Sequence, residues 1–477
     1  TKIWHHIVTL QYADGKLSDL DRNQRLFEQS VVMCVADVEL SPLVDPCRRR
    51  YREIAVRMQK ALLKLVQTEN WPPEGVLRQT RIFDEYVSPN LERREKTAYV
   101  MVDSLRYEMG RDLGETLRRF GDVEIRHAAA VVPTITETGM AALLPKADGA
   151  FRLTEKDGVA APALNETVLK NSADRMKLLK ASFRDRFMDV TLDELLTNFK
   201  KHASQIASKD LLVVRTSDPD TIGEYGSRLA RKYISDVIGD ITVLIGRLVT
   251  AGFSRVVIIA DHGHILLPEI AAGDVVSKPQ GTWVLEKRRC LVGKKLSGGE
   301  GCSCFKAEHV GLKYDDGDVC IPSGFKVFAA GDSYLHSGLS LQEAVIPVVI
   351  VRTRRETETG GGRRQIAVQY RSDKFTARVI GLAVSVSAQA DLFGTPVKVR
   401  VEAYDGAGPK AKRVGEAADC EARDENTHDI LLTPGKETQV PVLLDPDFQS
   451  PSVEIRVIDP VTRIVWAKLT LKNAMLE

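Results

Sequence analysis

Long apolar runs are missing from this 477-residue chain. None approaches the ~20 residues a helix needs to cross a bilayer, so no membrane partner is expected. The opening TKIWHHIVTL lacks the charged, apolar, small order of a secretory signal, and a cytoplasmic location is expected. A start on Thr1 is expected of a piece of a longer chain. Cysteine is sparse and scattered, at Cys34, Cys47, Cys290, Cys302, Cys304, Cys320 and Cys420. An odd, dispersed set argues for a reducing compartment over a disulfide framework. The C-x-C spacing of Cys302 and Cys304 is not a usual zinc pair, so free thiols are expected. A strong excess of either charge is also lacking, with a formal net charge of +2. That balance neither demands nor excludes a nucleic-acid partner. No heptad run fixes an oligomeric state, and no internal repeat is present.

What remains is a chain of ordinary globular composition, long enough for more than one core. Residues 1–94 read as mostly helical. The stretch REIAVRMQKALLKLVQ places Ile54, Met58, Leu62, Leu63 and Val66 on one helical face. From 95 to 355 the pattern becomes alternating strands and helices. TAYVMVD is a buried strand ending at Asp103, followed by a helix with Leu105, Met109, Leu113 and Leu117 at helical spacing. DVEIRHAAAVVP, DLLVVRT, RVVIIA and AVIPVVIV are further strands, with a long helix over about 227–251. This order predicts an α/β domain, a mostly parallel sheet with helices on both faces. Residues 265–330 interrupt it and read as an insertion or cap. RRETETGGGRRQ, at 354–365, is a linker by composition. Over 356–477 the alternation in VKVRVEAYD and VEIRVID predicts a β-sandwich.

Ligands of open parallel α/β sheets gather at the carboxyl ends of strands. Asp103 ends the first strand. The second runs into VVPTITETGM, with Thr134, Thr136 and Thr138. The third runs into SDPDTIGE, with Asp218, Asp220 and Glu224. The fourth ends in ADHGH, with Asp261, His262 and His264. GDSYLHSGLSLQEAVIPVVI leads into the last and carries His336. Singly, such residues are ordinary: an Asp after a strand usually caps the next helix, and a lone His is more often a satisfied structural residue. Their recurrence around one sheet edge points to a metal centre.

The order of these motifs resembles the alkaline phosphatase superfamily. Within it, MVDSLRYEMG, VVPTITETGM and SGLSLQEAVIPVV look like the PglZ domain of bacterial BREX phage-defence systems. The resemblance covers about 95–355. It implies an alkaline-phosphatase-like fold and two divalent metal ions: zinc, manganese or magnesium. Asp103, Thr136, Asp261 and His262 match the ligands of one metal, with Thr136 at the nucleophile position as the second Thr of P-T-x-T. Asp220, Glu224 and His336 match the ligands of the other. Glu224 departs from the His of many relatives, which leaves room for a weakened second site. His264 matches a nearby histidine behind the ligands. The carboxylate-rich donor set suits manganese or magnesium better than an imidazole-rich one would. Lys287, Arg288 and Arg289, in the cap, are candidates for the substrate phosphate, against the blander reading of a solvated basic loop. Arg106 could reach a phosphate or pair with a carboxylate.

The activity so implied is that of a metal-dependent phosphodiesterase, extending to a nuclease with DNA as a partner, working beside other BREX proteins. A non-catalytic scaffold of the defence complex and a phosphomonoesterase are the alternatives. No C-x-P-x-R sequence lies near Thr136, which excludes a sulfatase.

Overall fold

The computed structural model describes residues 12–14, 16–34, 40–156, 158–216, 230–231, 234–267, 270, 272–353, 366–387, 396–406, 411–424, 428–460 and 465–475. Asp218, Asp220 and Glu224 lie outside the described residues, as does the polar stretch 354–365. The chain divides into two compact units, Thr1–Arg354 and Arg355–Glu477.

The first unit is built on a seven-stranded sheet. Its strands are β1 (Leu77–Arg78), β2 (Thr97–Val102), β3 (Gly121–Ala129), β4 (Phe187–Thr191), β5 (Leu211–Thr216), β6 (Arg255–Ala260) and β7 (Val345–Thr353). Their order across the sheet is β1-β3-β7-β6-β2-β5-β4. The central runs TAYVMV, LLVVRT and RVVIIA are almost wholly buried. Continuous aliphatic strands of this kind are what a sheet covered on both faces requires. Strand β2 pairs in parallel with β5 and β6. Strand β7 runs antiparallel to both β3 and β6. A strand buried on both faces has no polar alternation to reveal its direction, so its sense is invisible in sequence.

Helices α1 (Lys16–Met33), α2 (Ser41–Thr68), α3 (Tyr107–Leu117), α4 (Thr136–Ala142), α5 (Ser172–Phe183), α6 (Leu192–Ala207) and α7 (Asp236–Thr250) accompany the sheet. The expected apolar positions before and along α3, from Leu105 to Leu117, are all buried. Helix α2 is rotated from the expected face: it buries Tyr51, Ala55, Gln59, Leu62, Leu63 and Val66, while Ile54 and Met58 are half-buried. Gln59 can sit inside because its amide is satisfied by the carbonyls of Pro322 and Leu339 and by the Gly324 N–H. Leu62 and Val66 share one core with the sheet, so the helical region expected over 1–94 belongs to the first unit. Helix α1 is pinned to α3 by charge: Arg25 Nη2 lies 2.8 Å from Glu108 Oε2 and 2.8 Å from Asp112 Oδ2.

The stretch expected as a cap contains a four-stranded antiparallel sheet of Gln280–Lys287, Cys290–Ser297, Cys302–Lys306 and Asp318–Pro322. Cys304 and Cys320 face each other across paired strands and form a disulfide, where free thiols were expected. Cys290 and Cys302 are free. No helix among the described residues is long and apolar enough to cross a membrane.

The second unit is a nine-stranded sheet with its own core, centred on Ile380, Leu382, Val399, Ile430, Val440 and Ile455. The alternation expected there is present: Val379–Val386 buries every second residue. Hydrogen-bonded pairing links the nine described strands continuously, and this all-β sheet is the region expected as a β-sandwich.

Candidate metal and phosphoryl-transfer site

Asp103 follows the last residue of β2, and Asp261 and His262 follow β6 directly. These strands are neighbours and parallel, with Val102 opposite Ala260, so their carboxyl ends deliver the three side chains to one place. His336 arrives differently. It precedes β7, and because β7 is antiparallel its amino end lies on that same edge, with Val345 opposite Ala129 at the end of β3.

The ligand atoms of Asp103, Asp261 and His262 lie within 4.8 Å of one another, and all three residues are buried. His262 Nε2 stands 3.4 Å from Asp261 Oδ2 and 3.7 Å from Asp103 Oδ1. Its other ring nitrogen, Nδ1, lies 3.0 Å from the Gly263 carbonyl. A carbonyl only accepts, so Nδ1 carries a proton, and in the neutral ring Nε2 is left to present its lone pair to the two carboxylates. No hydrogen-bond partner reaches that Nε2 among the described residues. A buried imidazole lone pair facing carboxylates is a costly arrangement until a cation is shared between them. The donor set therefore fits a divalent metal.

Thr136 opens α4, and its Oγ1 lies 3.4 Å from each Asp103 oxygen. Thr134 does not compete for this place. It is buried, and its hydroxyl donates to the Gly338 carbonyl at 2.8 Å. The Thr134 carbonyl accepts from the Ser337 N–H at 2.9 Å, tying the threonine loop to the segment that carries His336. Helix α4 comes close to Asp261 only because residue 139 is glycine: a Cβ there would meet the Asp261 carbonyl oxygen at 2.5 Å. Gly263 serves likewise, since a Cβ would fall 2.1 Å from the Gln342 carbonyl oxygen. Behind the carboxylates, Ser104 donates its N–H to Asp261 Oδ1 at 2.9 Å. It does so from left-handed backbone, φ 61, a conformation that costs a non-glycine residue about 1–2 kcal/mol.

His336 stacks on His262, ring centroids 4.6 Å apart and planes 6° from parallel. It stands beside the first ligand group and outside it. His264 is fully buried, with Nδ1 2.9 Å from the Ser104 carbonyl and its ring 4.8 Å from that of Tyr334. Burial and the neighbouring Arg106 hold its pKa well below the ordinary imidazole value, so it donates from Nδ1 as a neutral ring.

The three cap cations part company. Lys287 reaches Glu137, the residue after Thr136, with Nζ 3.5 Å from Oε1. Arg288 is half-buried and donates to the Ala329 carbonyl at 3.3 Å. Arg289 is fully buried, paired through both nitrogens with Glu343 at 2.9 and 3.0 Å, and bound to the carbonyls of Gly324 and Lys326. The expectation that Arg289 meets substrate is thereby corrected: its guanidinium is committed to the interior. Arg106 is likewise buried, against Asp21 and Glu108 at 3.4 and 3.5 Å.

A cavity of about 300 Å³ opens beside Asp103 and Thr136 and is also lined by Arg175 and Arg215. Sequence reasoning missed both arginines. Arg215 closes LLVVRT, so the strand-end rule could have found it. Arg175 sits in the first turns of an otherwise ordinary helix and carries no such signal.

Comparisons with known proteins place the chain in a family. Residues 82–351 match the BREX system PglZ alkaline phosphatase-like domain. The chain is 25% identical over 367 residues to the alkaline phosphatase-like protein PglZ of Bacillus cereus (strain H3081.97), covering 75% of this chain and 42% of that protein. It is 26% identical over 323 residues to the alkaline phosphatase-like protein BrxZ of Escherichia coli O9:H4 (strain HS), covering 62% and 35%. The chain thus spans less than half the length of either relative. Among solved structures, murine ectonucleotide pyrophosphatase / phosphodiesterase 5 aligns with a TM-score of 0.38 and 12% identity, over 54% of this chain and 88% of that one. Because the family match takes in more than half of the chain and contains every described candidate ligand, this chain belongs to the BREX PglZ alkaline phosphatase-like family.

Proposed function

We propose that the chain is a metal-dependent phosphodiesterase that attacks its substrate through Thr136. The observation that carries this reading is the Thr136 hydroxyl held at 3.4 Å from Asp103, beside the His262 lone pair. Asp103, Asp261 and His262 would hold one divalent ion with Thr136; Asp220, Glu224 and His336 would hold a second. Zinc, manganese and magnesium all suit such donors. Bound there, the ions lower the pKa of a coordinated hydroxyl and stabilise attacking and leaving oxygens.

In this reading the Thr136 oxygen forms a bond to phosphorus as the ester oxygen opposite departs. Water then cleaves the Thr136–phosphorus bond and restores the hydroxyl. Ser104 and the His262 backbone N–H orient Asp261, and Lys287, at the rim beside Glu137, adds positive charge where the phosphoryl oxygens gather. Within the whole protein, DNA is the substrate class to examine first and other BREX proteins are the partners.

The test is hydrolysis of bis-p-nitrophenyl phosphate and p-nitrophenyl phosphate after metal stripping and restoration with zinc, manganese or magnesium. Metal-dependent turnover of the diester is expected, falling at least roughly a thousandfold in Thr136→Ala and Asp261→Ala. Preference for the monoester would make the chain a phosphomonoesterase. A folded protein with no turnover under any metal would overturn the catalytic reading in favour of a scaffold.

A further inference from the structure

We propose that Arg175 binds the phosphoryl oxygens of a phosphate ester in the cavity beside Thr136, while methionines of the same lining take the ester's organic group. This rests on the reading above and adds the residue that would recognise substrate.

The lining of the cavity brings two helix amino ends together with Arg175 and Arg215, beside the carboxylates of Asp103 and Asp193. Ser172, the first residue of α5, and Thr191, the N-cap of α6, both line it. The two helices are 12 and 16 residues long, and their amino ends carry partial positive charge. Arg215 is already engaged, donating to Ser172 Oγ at 2.9 Å and pairing with Asp189 at 3.0 Å. Arg175 is not engaged in that way. It is only 7% exposed, and its Nη1 has no hydrogen-bond partner among the described residues. A buried guanidinium stays charged and demands compensation.

Besides its burial, Arg175 feels the negative charges of Asp261, Glu137 and Asp103 and the positive charge of Arg215. Asp103 and Asp261 belong to the metal group, and Glu137 is shared with Lys287. With the metal in place, the carboxylates that now balance Arg175 are neutralised, and its planar fork is left for an incoming oxyanion. Arginine matches the geometry of phosphate oxygens in two parallel hydrogen bonds. The same lining includes the apolar side chains of Met101, Met140, Met176 and Leu192. Flexible thioethers accept flat or irregular groups, so the cavity suits a phosphate carrying an organic substituent over bare phosphate.

The test is calorimetric titration of the manganese-loaded chain with phenylphosphonate, which it cannot hydrolyse, and with inorganic phosphate. Phenylphosphonate is expected to bind more tightly than phosphate. Arg175→Gln should weaken both by at least about tenfold, with Arg175→Lys losing less and circular dichroism unchanged. If Arg175→Gln does not fold, Arg175→Lys decides, and a severalfold loss is expected of it. Parental affinity in the variant that folds overturns the proposal, as does a parent chain that binds neither ligand. The measurement needs no turnover, so a chain that hydrolyses nothing can still bind as expected. Conversely, diester hydrolysis at parental KM in Arg175→Gln sinks this proposal and leaves the catalytic reading intact.

Discussion

Thr134 and Thr136 stand two places apart with the same hydroxyl, yet the fold spends only one of them. Thr134 bonds to Gly338 in the interior, whereas Thr136 is half-buried beside Asp103. Replacing Thr134 with Val should therefore cost about 1–3 kcal/mol, because the Gly338 carbonyl loses its donor, and should leave most of the turnover. Thr136→Ala should do the reverse: stability within about 0.5 kcal/mol of the parent and activity lost. Urea denaturation beside diester hydrolysis separates the two. The P-T-x-T pattern brings both threonines into view, but only the partner of each hydroxyl tells them apart. A second contrast lies among the cysteines. Burial first, and then the charge of Glu343, push the Cys290 thiol far above its usual range, so at pH 8 it stays protonated and unreactive. Cys34 and Cys47 are exposed. Mass spectrometry after iodoacetamide should find these two alkylated in the native chain and Cys290 only after unfolding.

At the scale of elements, the turn between Gln280–Lys287 and Cys290–Ser297 is stapled to the approach of β7 by one buried ion pair. Arg289 holds Glu343, which also accepts from the Gly338 N–H at 2.8 Å and the Ser340 hydroxyl at 2.7 Å. Removing one partner leaves the other charge buried alone, so Arg289→Met should destabilise by about 3–5 kcal/mol. Changing both, with Glu343→Leu added, should cost less than the single change. Chemical denaturation of the single and double variants decides. EKRRC illustrates the limit of reading elements from sequence. Three adjacent cations look like one solvated basic loop, yet a tight turn sends Arg289 inward and leaves Lys287 at the rim. Burial of a charge depends on a partner distant in sequence, here Glu343, and no local pattern announces it. By contrast, the strand ends at Asp103 and Asp261 were legible because aliphatic runs stop there abruptly.

For the whole molecule, the two cores are the governing fact. The candidate ligands all belong to the first unit, so metal should stabilise that unit and not the other. Calorimetry of the stripped chain is expected to show two transitions. Adding manganese to about 100 times its Kd should raise one of them by the equivalent of about 2.7 kcal/mol, and Asp261→Ala should remove the shift. The polar, glycine-rich composition of 354–365 is a local signal that sequence carries. The union of the amino-terminal helices with the sheet carries no such signal, because Leu62 and Arg25 find their neighbours only in three dimensions. The direction of β7 also decides where the chain before it must lie. Since β6 finishes and β7 starts on the same rim, everything between them leaves and returns without crossing the sheet. That stretch therefore closes over one rim of the sheet like a visor hinged at both ends, and it brings His336 back to the rim where Asp261 and His262 stand.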